Sequence, residues 1–365
     1  MNFDYMIDYD IIENIYKKIC SRTKHKKKII LFETSKFAYF IRIYSLLKER
    51  TYTHGKYNIF LIKYPKYRII MSENLHDKIV NHLVSKYCLY PVINKHLLDI
   101  NIATRPGMGL DKGINYIKKT FNLIRNEYNE YYCLKCDISK YFYSIDHEIL
   151  FQKLEKILFD VDVINLIKNI VNSTNLDYVN KRIISLVNNE IKKINKLDCS
   201  SRSKEKVVEK LKAIPLYSSG KGLPIGNMTS QILAIFYLND LDHYIKEKLH
   251  IKYYLRYMDD LILFHKDKDY LKYCKNKIAE KLKKEKLLLN NKTSIIKISN
   301  GLVFLGYRFI NKNGKIILLM NKNMRKKIKK RYKKDGNIIL NKYNGYFLRC
   351  KSHKYRNGLL QHNSV

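Results

Sequence analysis

Three aspartates stand where apolar segments of the chain end, a setting in which a lone carboxylate is costly to bury. Asp137 ends the segment CLKCD, and Asp259 and Asp260 lie between YYLRYM and LILF. Where several carboxylates converge, a hard divalent cation supplies the counter-charge that they need. Two magnesium ions about 4 Å apart on such carboxylates catalyse phosphoryl transfer. The residue types and their settings are therefore compatible with a two-metal site.

The adjacent pair Asp259 and Asp260 also fits ordinary turn chemistry, because Asp favours turns. Neighbouring residues of a regular strand face opposite ways, so both carboxylates can approach one metal only from a turn. The segment KYYLRYMDDLILF (252–264) predicts a strand, a tight turn and a second strand, which permits that arrangement. Turn chemistry and a metal site both stay open on these residues alone.

The charge balance is extreme for a chain with so many apolar residues. The 365 residues carry 71 Lys and Arg against 33 Asp and Glu, a net charge of +38, and 46% of them are hydrophobic. This composition predicts a folded body of about two to three domains rather than a disordered basic tail. The electric field of this positive charge attracts polyanions. It gives no advantage to an enzyme that acts on a free neutral metabolite. Nucleic acid is therefore the favoured class of partner, with Lys/Ile/Asn codon bias as the alternative source of part of the excess charge.

The cysteines and the hydropathy pattern indicate a reducing compartment. Seven cysteines are an odd number for a closed set of disulfides. Cys133 and Cys136 form a lone CxxC in a predicted strand, where their spacing points the thiols to opposite faces and disfavours zinc. Because the N-terminus lacks an apolar signal core and no run of 18 apolar residues occurs, we expect a cytoplasmic protein without a membrane partner.

Strand and helix patterns surround the three aspartates and predict an α+β core. Residues 57–71 predict a hairpin broken at Pro65, and 131–145 predict a strand that ends in a polar turn. A Gly-punctuated loop at 220–231 opens a strongly apolar helix, and 301–310 predict a further strand. These elements would place the candidate carboxylates at strand ends.

Two Lys-rich stretches stand apart from this core. Residues 160–213 predict an inserted helical segment. Residues 311–365 carry 16 Lys and Arg against the single acid Asp335, and they interleave these bases with Tyr and Phe. A solvated basic helix would explain this tail, but its charge also suits an element that clamps the phosphates of a primer-template duplex.

Several segments resemble the sequence boxes of reverse transcriptases. Tyr257-Met258-Asp259-Asp260 resembles the YxDD box, and LKCDISKYFYSID (134–146) resembles the acidic box that precedes it. GLPIGNMTSQ (222–231) is similar to the box that frames the incoming nucleotide and the template base. The other boxes, in the family's order, are PKYRII (65–70), RPGMG (105–109), LLLNNKTSI (287–295) and the primer-grip-like GLVFLGYRF (301–309).

This resemblance implies the fold of a right-hand polymerase. We expect an α+β protein with fingers, a palm built from an antiparallel sheet backed by helices, and a basic helical thumb. The implied domains are an N-terminal helical extension (1–56), fingers (57–130), a palm (131–310) with its insertion at about 160–213, and the thumb (311–365).

The resemblance also implies roles for single residues. The metal-binding positions are Asp137, Ile138, Asp259 and Asp260, and Lys292 joins the three aspartates as catalytic. The substrate-binding residues are Lys66 and Arg68 at the triphosphate, Arg105 at the template, Phe142 as a gate against a 2′-hydroxyl, and Pro224, Ile225, Gly226 and Gln231 at the nascent base pair. The alternative for Phe142 is an aromatic residue of the core. The alternative for Lys66, Arg68 and Lys292 is a solvated surface charge.

The implied function is RNA-directed DNA polymerisation on a dedicated structured non-coding RNA. It requires dNTPs, a DNA or RNA primer that is extended into cDNA, and two Mg²⁺ ions, which Mn²⁺ can replace. Ile225 and Gln231 resemble the form of the box in diversity-generating retroelements and related defence-associated enzymes of bacteria and phages. An accessory protein or a second copy of the chain is a further expected partner. Intron-encoded and retroviral relatives have Gln where this chain has Ile225, so the resemblance implies relaxed nucleotide selection, at adenines in the diversifying group.

Two alternatives come from other functional classes. A non-catalytic RNA-binding or maturase-like protein on the same scaffold predicts erosion of the metal ligands, yet Asp137, Asp259 and Asp260 are all present. A primer-making or RNA-synthesising polymerase is disfavoured by the bulky side chain of Phe142.

Overall fold

Helices and antiparallel strands alternate along the chain, which confirms the predicted α+β class. A computed structural model describes residues 3–23, 26–64, 66–198, 200–312 and 314–361. The α-helices are α1 (Tyr9–Arg22), α2 (Lys26–Glu33), α3 (Lys36–Lys48), α4 (Leu75–Leu83), α5 (Tyr90–His96), α6 (Leu110–Leu123), α7 (Tyr141–Ser144), α8 (His147–Glu155), α9 (Val161–Asn172), α10 (Asp177–Asn195), α11 (Ser201–Lys212), α12 (Met228–Tyr237), α13 (Asn239–His243), α14 (Lys268–Lys284), α15 (Lys322–Asp335), α16 (Ile338–Lys342), α17 (Asn344–Arg349) and α18 (His353–Gln361). The strands are β1 (Asn58–Ile62), β2 (Arg68–Ser72), β3 (Tyr132–Asp137), β4 (Tyr253–Tyr257), β5 (Asp260–His265), β6 (Ser294–Lys297), β7 (Leu302–Phe304), β8 (Tyr307–Lys312) and β9 (Lys315–Met320).

The chain forms two compact units, and each is assembled from three separate segments. Unit 1 consists of Met1–Leu98, Ser139–Asp240 and Leu282–Leu288. Unit 2 consists of Asp99–Ile138, Leu241–Lys281 and Leu289–Val365. The predicted palm (131–310) contributes residues to both units, and the fingers, palm and thumb boundaries stay a prediction. Within the described ranges, no helix has the length and hydropathy needed to cross a membrane.

In unit 1, the predicted hairpin is confirmed as the antiparallel pair β1 and β2. Its inner face carries Ile59, Ile69 and Met71, which are buried against residues of α10. Pro65, the predicted break between the strands, lies outside the described residues. The predicted insertion is helical and contains α9, α10 and α11. Helix α12 also belongs to unit 1, and its apolar residues from Ile232 to Tyr237 are all buried.

In unit 2, a four-stranded antiparallel sheet has the order β4-β5-β3-β6. The central strand β5 buries each of its four inner residues, Leu261–Phe264, so the sheet is covered on both faces. The aromatic ring of Phe121 on α6 makes edge contacts with Phe264 and Phe309 at centroid distances of 5.7 and 6.3 Å. These contacts hold the strands that carry the candidate carboxylates against a single apolar core.

The second sheet of unit 2 has the order β7-β8-β9. The predicted strand at 301–310 is divided by a tight turn at Leu305 and Gly306, whose φ angles are +52° and +84°. Two positive φ values are the pattern of the type I′ turn that favours hairpins. The tail contains the helices α15 to α18, but β9 precedes these helices and was not predicted. It forms because residues 316–320 are apolar and pair along β8, which buries Leu318 and Met320.

A fully buried ion pair fixes the hairpin of β4 and β5. The side chains of Arg256 and Asp242 have no solvent exposure. The Arg256 Nε donates to Asp242 Oδ1 at 2.7 Å and its Nη2 donates to Oδ2 at 2.5 Å. The hydroxyl of Tyr254 also donates to Asp242, at 2.7 Å. The Arg256 Nη1 donates to the carbonyl oxygen of Met258 at 3.0 Å, so the pair reaches the turn that contains Asp259.

Removing the acid of this pair should be strongly destabilising. Asp242→Asn leaves the buried guanidinium of Arg256 without its counter-charge, and we expect a loss of about 3–5 kcal/mol in the free energy of unfolding. Urea denaturation of the purified variant measures this loss. Asp269→Asn is the control, since Asp269 pairs with Lys272 on an exposed helix and should leave the unfolding free energy nearly unchanged. Equal effects of the two substitutions would contradict the assigned role.

Candidate active site

The turn between β4 and β5 presents the adjacent aspartates. Tyr257 pairs with Asp260, so Met258 and Asp259 are the two central residues of the hairpin. Met258 has a φ of +58°, the left-handed region that costs a non-glycine residue about 1–3 kcal/mol. A positive φ at the first central position alone is the pattern of a type II′ turn. The predicted strand, turn and strand are therefore confirmed.

The register of the sheet brings the third aspartate to this turn. Asp137 is the last residue of β3 and is the direct partner of Asp260, the first residue of β5. Directly opposed residues of an antiparallel pair project from the same face with their Cβ atoms about 5 Å apart. Asp137, Asp259 and Asp260 are each half-buried. The sheet thus places the predicted carboxylates together at the ends of β3, β4 and β5.

These residues suit a divalent cation in chemical type and in backbone placement. Asp137 and Asp260 offer hard oxygen ligands on neighbouring strands, and Asp259 follows on the turn. Within the described part of the chain, however, no three His, Cys, Asp or Glu side chains are already arranged to hold a metal ion. Ile138, the fourth predicted metal-binding position, is 2% exposed and forms an antiparallel bridge with Leu289. The metal assignment stays a prediction.

Lys292 lies on a turn that is hydrogen-bonded to Asp137. The amide of Asn290 donates to the Asp137 carbonyl at 2.7 Å, and the Asp137 amide contacts Thr293 Oγ1 at 3.4 Å. Lys292 is exposed and lies between Asn290 and Thr293 in the chain. The Lys292 amide donates to Asn290 Oδ1 at 3.1 Å, which stabilises the turn. The backbone of Lys292 is therefore held beside the strand end of Asp137.

Arg105 is buried and hydrogen-bonded within its own loop. The residue is only 8% exposed, and its Nη1 donates to the carbonyl oxygen of Asn101 at 3.0 Å. Its Nη2 lies 3.8 Å from Asp99. A template contact stays a prediction that this placement does not favour, since a buried guanidinium bonded to its own loop cannot reach a phosphate without leaving these partners.

The cysteines of β3 behave as core residues. Cys133 and Cys136 are buried and free of disulfides. Burial raises the pKa of the Cys136 thiol to about 12, and burial raises the pKa of Cys133 as well. Both thiols are therefore part of the buried packing of β3, and the prediction that this CxxC does not bind zinc stays a prediction.

In unit 1, the predicted triphosphate residues lie on the β1–β2 hairpin. Arg68 is the first residue of β2 and Lys66 precedes it, and both side chains are exposed. An arginine at such a position can contact phosphate with two parallel hydrogen bonds, and a lysine acts as a point charge. Their roles at the triphosphate stay predictions.

Residues 222–226 of the segment predicted to frame the incoming nucleotide are called the nucleotide loop. This loop of unit 1 is hydrogen-bonded to β2 and to Phe142 of α7. The Met71 amide donates to the Ile225 carbonyl at 2.8 Å, and the Leu223 amide donates to the Phe142 carbonyl at 2.7 Å. Gly226 has a φ of +144°, and a Cβ there would lie 2.3 Å from the Met71 carbonyl oxygen. Only glycine fits this close approach. The hairpin of Arg68, the loop of Ile225 and the turn of Phe142 therefore form one connected framework.

The remaining predicted substrate residues belong to the same framework. Phe142 is half-buried, and its ring lies 5.9 Å from that of Tyr141 in an edge arrangement. Pro224 is buried within the loop, and Ile225 and Gln231 are half-buried, with Gln231 in the first turn of α12. The gate and base-pair roles predicted for them stay predictions.

The sequence did not lead us to Arg256 and Asp242, which hold the turn of residues Tyr257–Asp260 (the YMDD turn). Arg256 is the only charged residue of the strand YYLRY, and a charge at the centre of an apolar strand is a signal that a buried partner exists. Asp242 carries no comparable signal, because it lies in the short helix NDLDH, which also contains Asp240.

Comparison with known proteins identifies the family. Residues 62–309 match the family described as reverse transcriptase (RNA-dependent DNA polymerase). No curated protein matches the chain.

Similar solved structures include telomerases from two yeasts. A telomerase from Candida albicans in complex with the TWJ fragment of telomeric RNA is 16% identical, and the match covers 80% of this chain and 51% of that chain with a TM-score of 0.43. An apo telomerase from Candida tropicalis, truncated from its C-terminal domain, is 15% identical, with 74% and 58% covered and a TM-score of 0.45. The chain spans about half the length of these structures. The family match covers more than half of the residues of this chain. The protein therefore belongs to the reverse transcriptase (RNA-dependent DNA polymerase) family.

Proposed function

We propose that this protein is an RNA-directed DNA polymerase that extends a primer with dNTPs on an RNA template. The observation that carries the proposal is the register of unit 2, which pairs Asp137 with Asp260 and puts Asp259 on the connecting turn. Carboxylates at neighbouring strand ends are the ligand set for nucleotidyl transfer by two metal ions. The match to the reverse transcriptase family supports this chemistry over other phosphoryl transfers.

Each residue of the site in unit 2 has a proposed task. Mg²⁺ bound by Asp137, Asp259 and Asp260, or Mn²⁺ in its place, would lower the pKa of the primer hydroxyl and offset the charge of the phosphates. Lys292 would protonate the departing pyrophosphate, and its backbone is held near Asp137 by the hydrogen bonds of Asn290. The buried Arg256 keeps the turn carbonyl of Met258 in place while the carboxylates bind.

In unit 1, the connected framework is proposed to bind the incoming nucleotide. Lys66 and Arg68 on the hairpin would contact the triphosphate. The Phe142 ring would exclude a 2′-hydroxyl from the sugar site, and the loop from Pro224 to Gly226 would contact the nascent base pair. The hydrogen bonds that join these elements support their joint action.

A finer proposal concerns the template and the biological setting. The side chain of Ile225 brings no hydrogen-bonding group to the base pair, and this favours an enzyme with relaxed selection. We place it in the cytoplasm, in a bacterial or phage diversity-generating retroelement or antiphage defence system that copies a dedicated structured RNA. The basic residues of α15 would hold the primer-template duplex, and an accessory protein or a second copy of the chain completes the expected assembly.

Replacing a metal ligand tests the polymerase proposal directly. Asp259→Asn keeps the size of the side chain and removes its charge, so incorporation of dNTPs on a primed RNA should fall about 10²- to 10³-fold, as the loss of several kcal/mol of charge stabilisation requires. Asp269→Asn removes the same charge from an exposed helix and should keep full activity. Primer extension followed by gel electrophoresis measures both. Wild-type protein that binds RNA but never extends a primer would favour the non-catalytic alternative.

The gate role of Phe142 predicts a change in sugar selection. Phe142→Ala opens the space that a 2′-hydroxyl needs, so the preference for dNTPs over NTPs should weaken by at least about tenfold. Steady-state kcat/KM values for dGTP and GTP on one template give this ratio. Tyr141→Phe, which keeps the neighbouring ring, is the control and should retain the preference. An unchanged ratio in Phe142→Ala would assign this ring to packing alone.

The identity of residue 225 predicts copying accuracy. Ile225→Gln restores an amide beside the proposed base pair, and the frequency of misincorporation should fall, most clearly opposite template adenines. Sequencing of cDNA made by the two proteins on one template measures the error spectrum. Ile225→Leu changes the shape without adding a polar group and should keep the original error rate. Identical spectra for Gln and Ile would remove the selective role of this position.

A further inference from the structure

A tyrosine just after the inserted helices touches the nucleotide loop. The Tyr217 hydroxyl donates to the carbonyl oxygen of Leu223 at 3.1 Å, and the side chain is 4% exposed. Its ring lies so close to Gly222 that a Cβ there would be 2.5 Å from the ring, and Gly222 has a φ of +91°. The loop therefore accepts the ring only because residue 222 is glycine.

The backbone of this tyrosine is itself held by a side chain of the insertion. Asn180 on α10 donates from Nδ2 to the Tyr217 carbonyl at 2.8 Å, and its Oδ1 accepts from the Tyr217 amide at 3.0 Å. One side-chain amide thus satisfies both main-chain groups of Tyr217. A pair of hydrogen bonds fixes the orientation of a residue better than one bond does, because rotation about either bond breaks the other.

The helix that supplies Asn180 is anchored to the hairpin that carries Arg68. Val179 and Ile183 of α10 pack in one buried cluster with Ile59 and Met71. At its far end, Glu190 of α10 forms an ion pair of 2.6 Å with Lys63, and the Glu190 side chain is 8% exposed. Helix α10 is therefore packed against the hairpin through Val179 and Ile183 and paired with it through Glu190.

These contacts complete the support of the nucleotide loop. Leu223 is bonded through its amide to Phe142 and through its carbonyl to Tyr217, while Ile225 is bonded to Met71. Within Leu223–Gly226, hydrogen bonds to β2, to Phe142 and to Tyr217 therefore hold the main-chain groups of Leu223 and Ile225. Of the three, only the Tyr217 bond uses a side chain, and it is therefore the one that a point substitution can remove cleanly.

We propose that Asn180 and Tyr217 are positioning residues that hold the Leu223–Gly226 loop in the shape that binds the incoming dNTP. The inference rests on the proposed polymerase function, which it deepens by assigning a task to the inserted segment. Neither side chain is placed in contact with substrate; both act through the loop. Burial raises the pKa of Tyr217 well above its usual value, so its hydroxyl stays protonated and donates at neutral pH.

Kinetics of Tyr217→Phe test the inference, because this change removes one hydroxyl and keeps the ring. A loosened loop binds the nucleotide less well before and during reaction, so KM for the dNTP should rise about threefold to tenfold while kcat stays within about twofold. Tyr128→Phe is the matched control: it removes a buried hydroxyl that donates to the Ile298 carbonyl in unit 2 at 2.9 Å. It should leave both constants unchanged.

Hydrogen exchange of the same variants gives a readout that needs no catalysis. In Tyr217→Phe, the amides of Leu223 and Met71 should exchange faster than in the wild type, since both belong to the bonds that frame the loop. Asn180→Ala should produce the same increase, and the double variant should add little to it, because the two residues support one contact. Asn180→Asp keeps the acceptor for the Tyr217 amide and should restore part of the protection.

The outcomes separate this inference from the proposed function. A wild-type protein without primer extension overturns the polymerase proposal and the inference with it. If the wild type extends primers but Tyr217→Phe leaves KM unchanged, the inference is wrong and the polymerase proposal stands. Unchanged exchange of Leu223 in Tyr217→Phe would also overturn it. A fall in kcat with constant KM would assign Tyr217 to another step and would equally refute the positioning role.

Discussion

A guanidinium without any solvent exposure sets the geometry of the YMDD turn. Burying Arg256 is costly unless an acid and further acceptors take its donors, and Asp242 and the Met258 carbonyl both do so. The same residue is held by its backbone, since its amide donates to Ile100 and its carbonyl accepts from Ile102. Once these contacts are made, the turn has little freedom. This rigidity explains how Met258 keeps a left-handed conformation.

The two units fix their functional segments by different means. In unit 2 a buried charge pair and a sheet register define the carboxylates, so the positions of Asp137 and Asp260 follow from strand pairing. In unit 1 neutral hydrogen bonds to Met71, Phe142 and Tyr217 hold residues Leu223–Gly226. A neutral network adapts at lower cost than a buried ion pair. Substitutions at the proposed nucleotide loop of unit 1 should therefore be tolerated more easily than substitutions at the proposed metal ligands of unit 2.

Local patterns made much of the site predictable. The apolar strands around Asp259 and Asp260 leave room for only a two-residue turn, and the hairpin at 57–71 is apparent from its alternation. The long-range partners were not predictable. The acid of Asp242 cannot be matched to Arg256 without the fold, and the exposure of Arg105 depends on how its loop closes on Asn101. The strand β9 was missed because its few apolar residues stand inside a basic tail.

The division of each unit into three chain segments has a consequence for biosynthesis. Asp137 and its partner Asp260 are roughly 120 residues apart, and the intervening residues 139–240 belong to unit 1. During translation, β3 leaves the ribosome before β5 is synthesised. The apolar side chains of Cys133 and Leu134 therefore emerge before the residues of β5 that pair with them. Unit 1 likewise lacks Leu282–Leu288 until then. Both halves of the enzyme must mature almost together, and a nascent chain stalled before β5 exposes an unpaired strand that a chaperone has to cover.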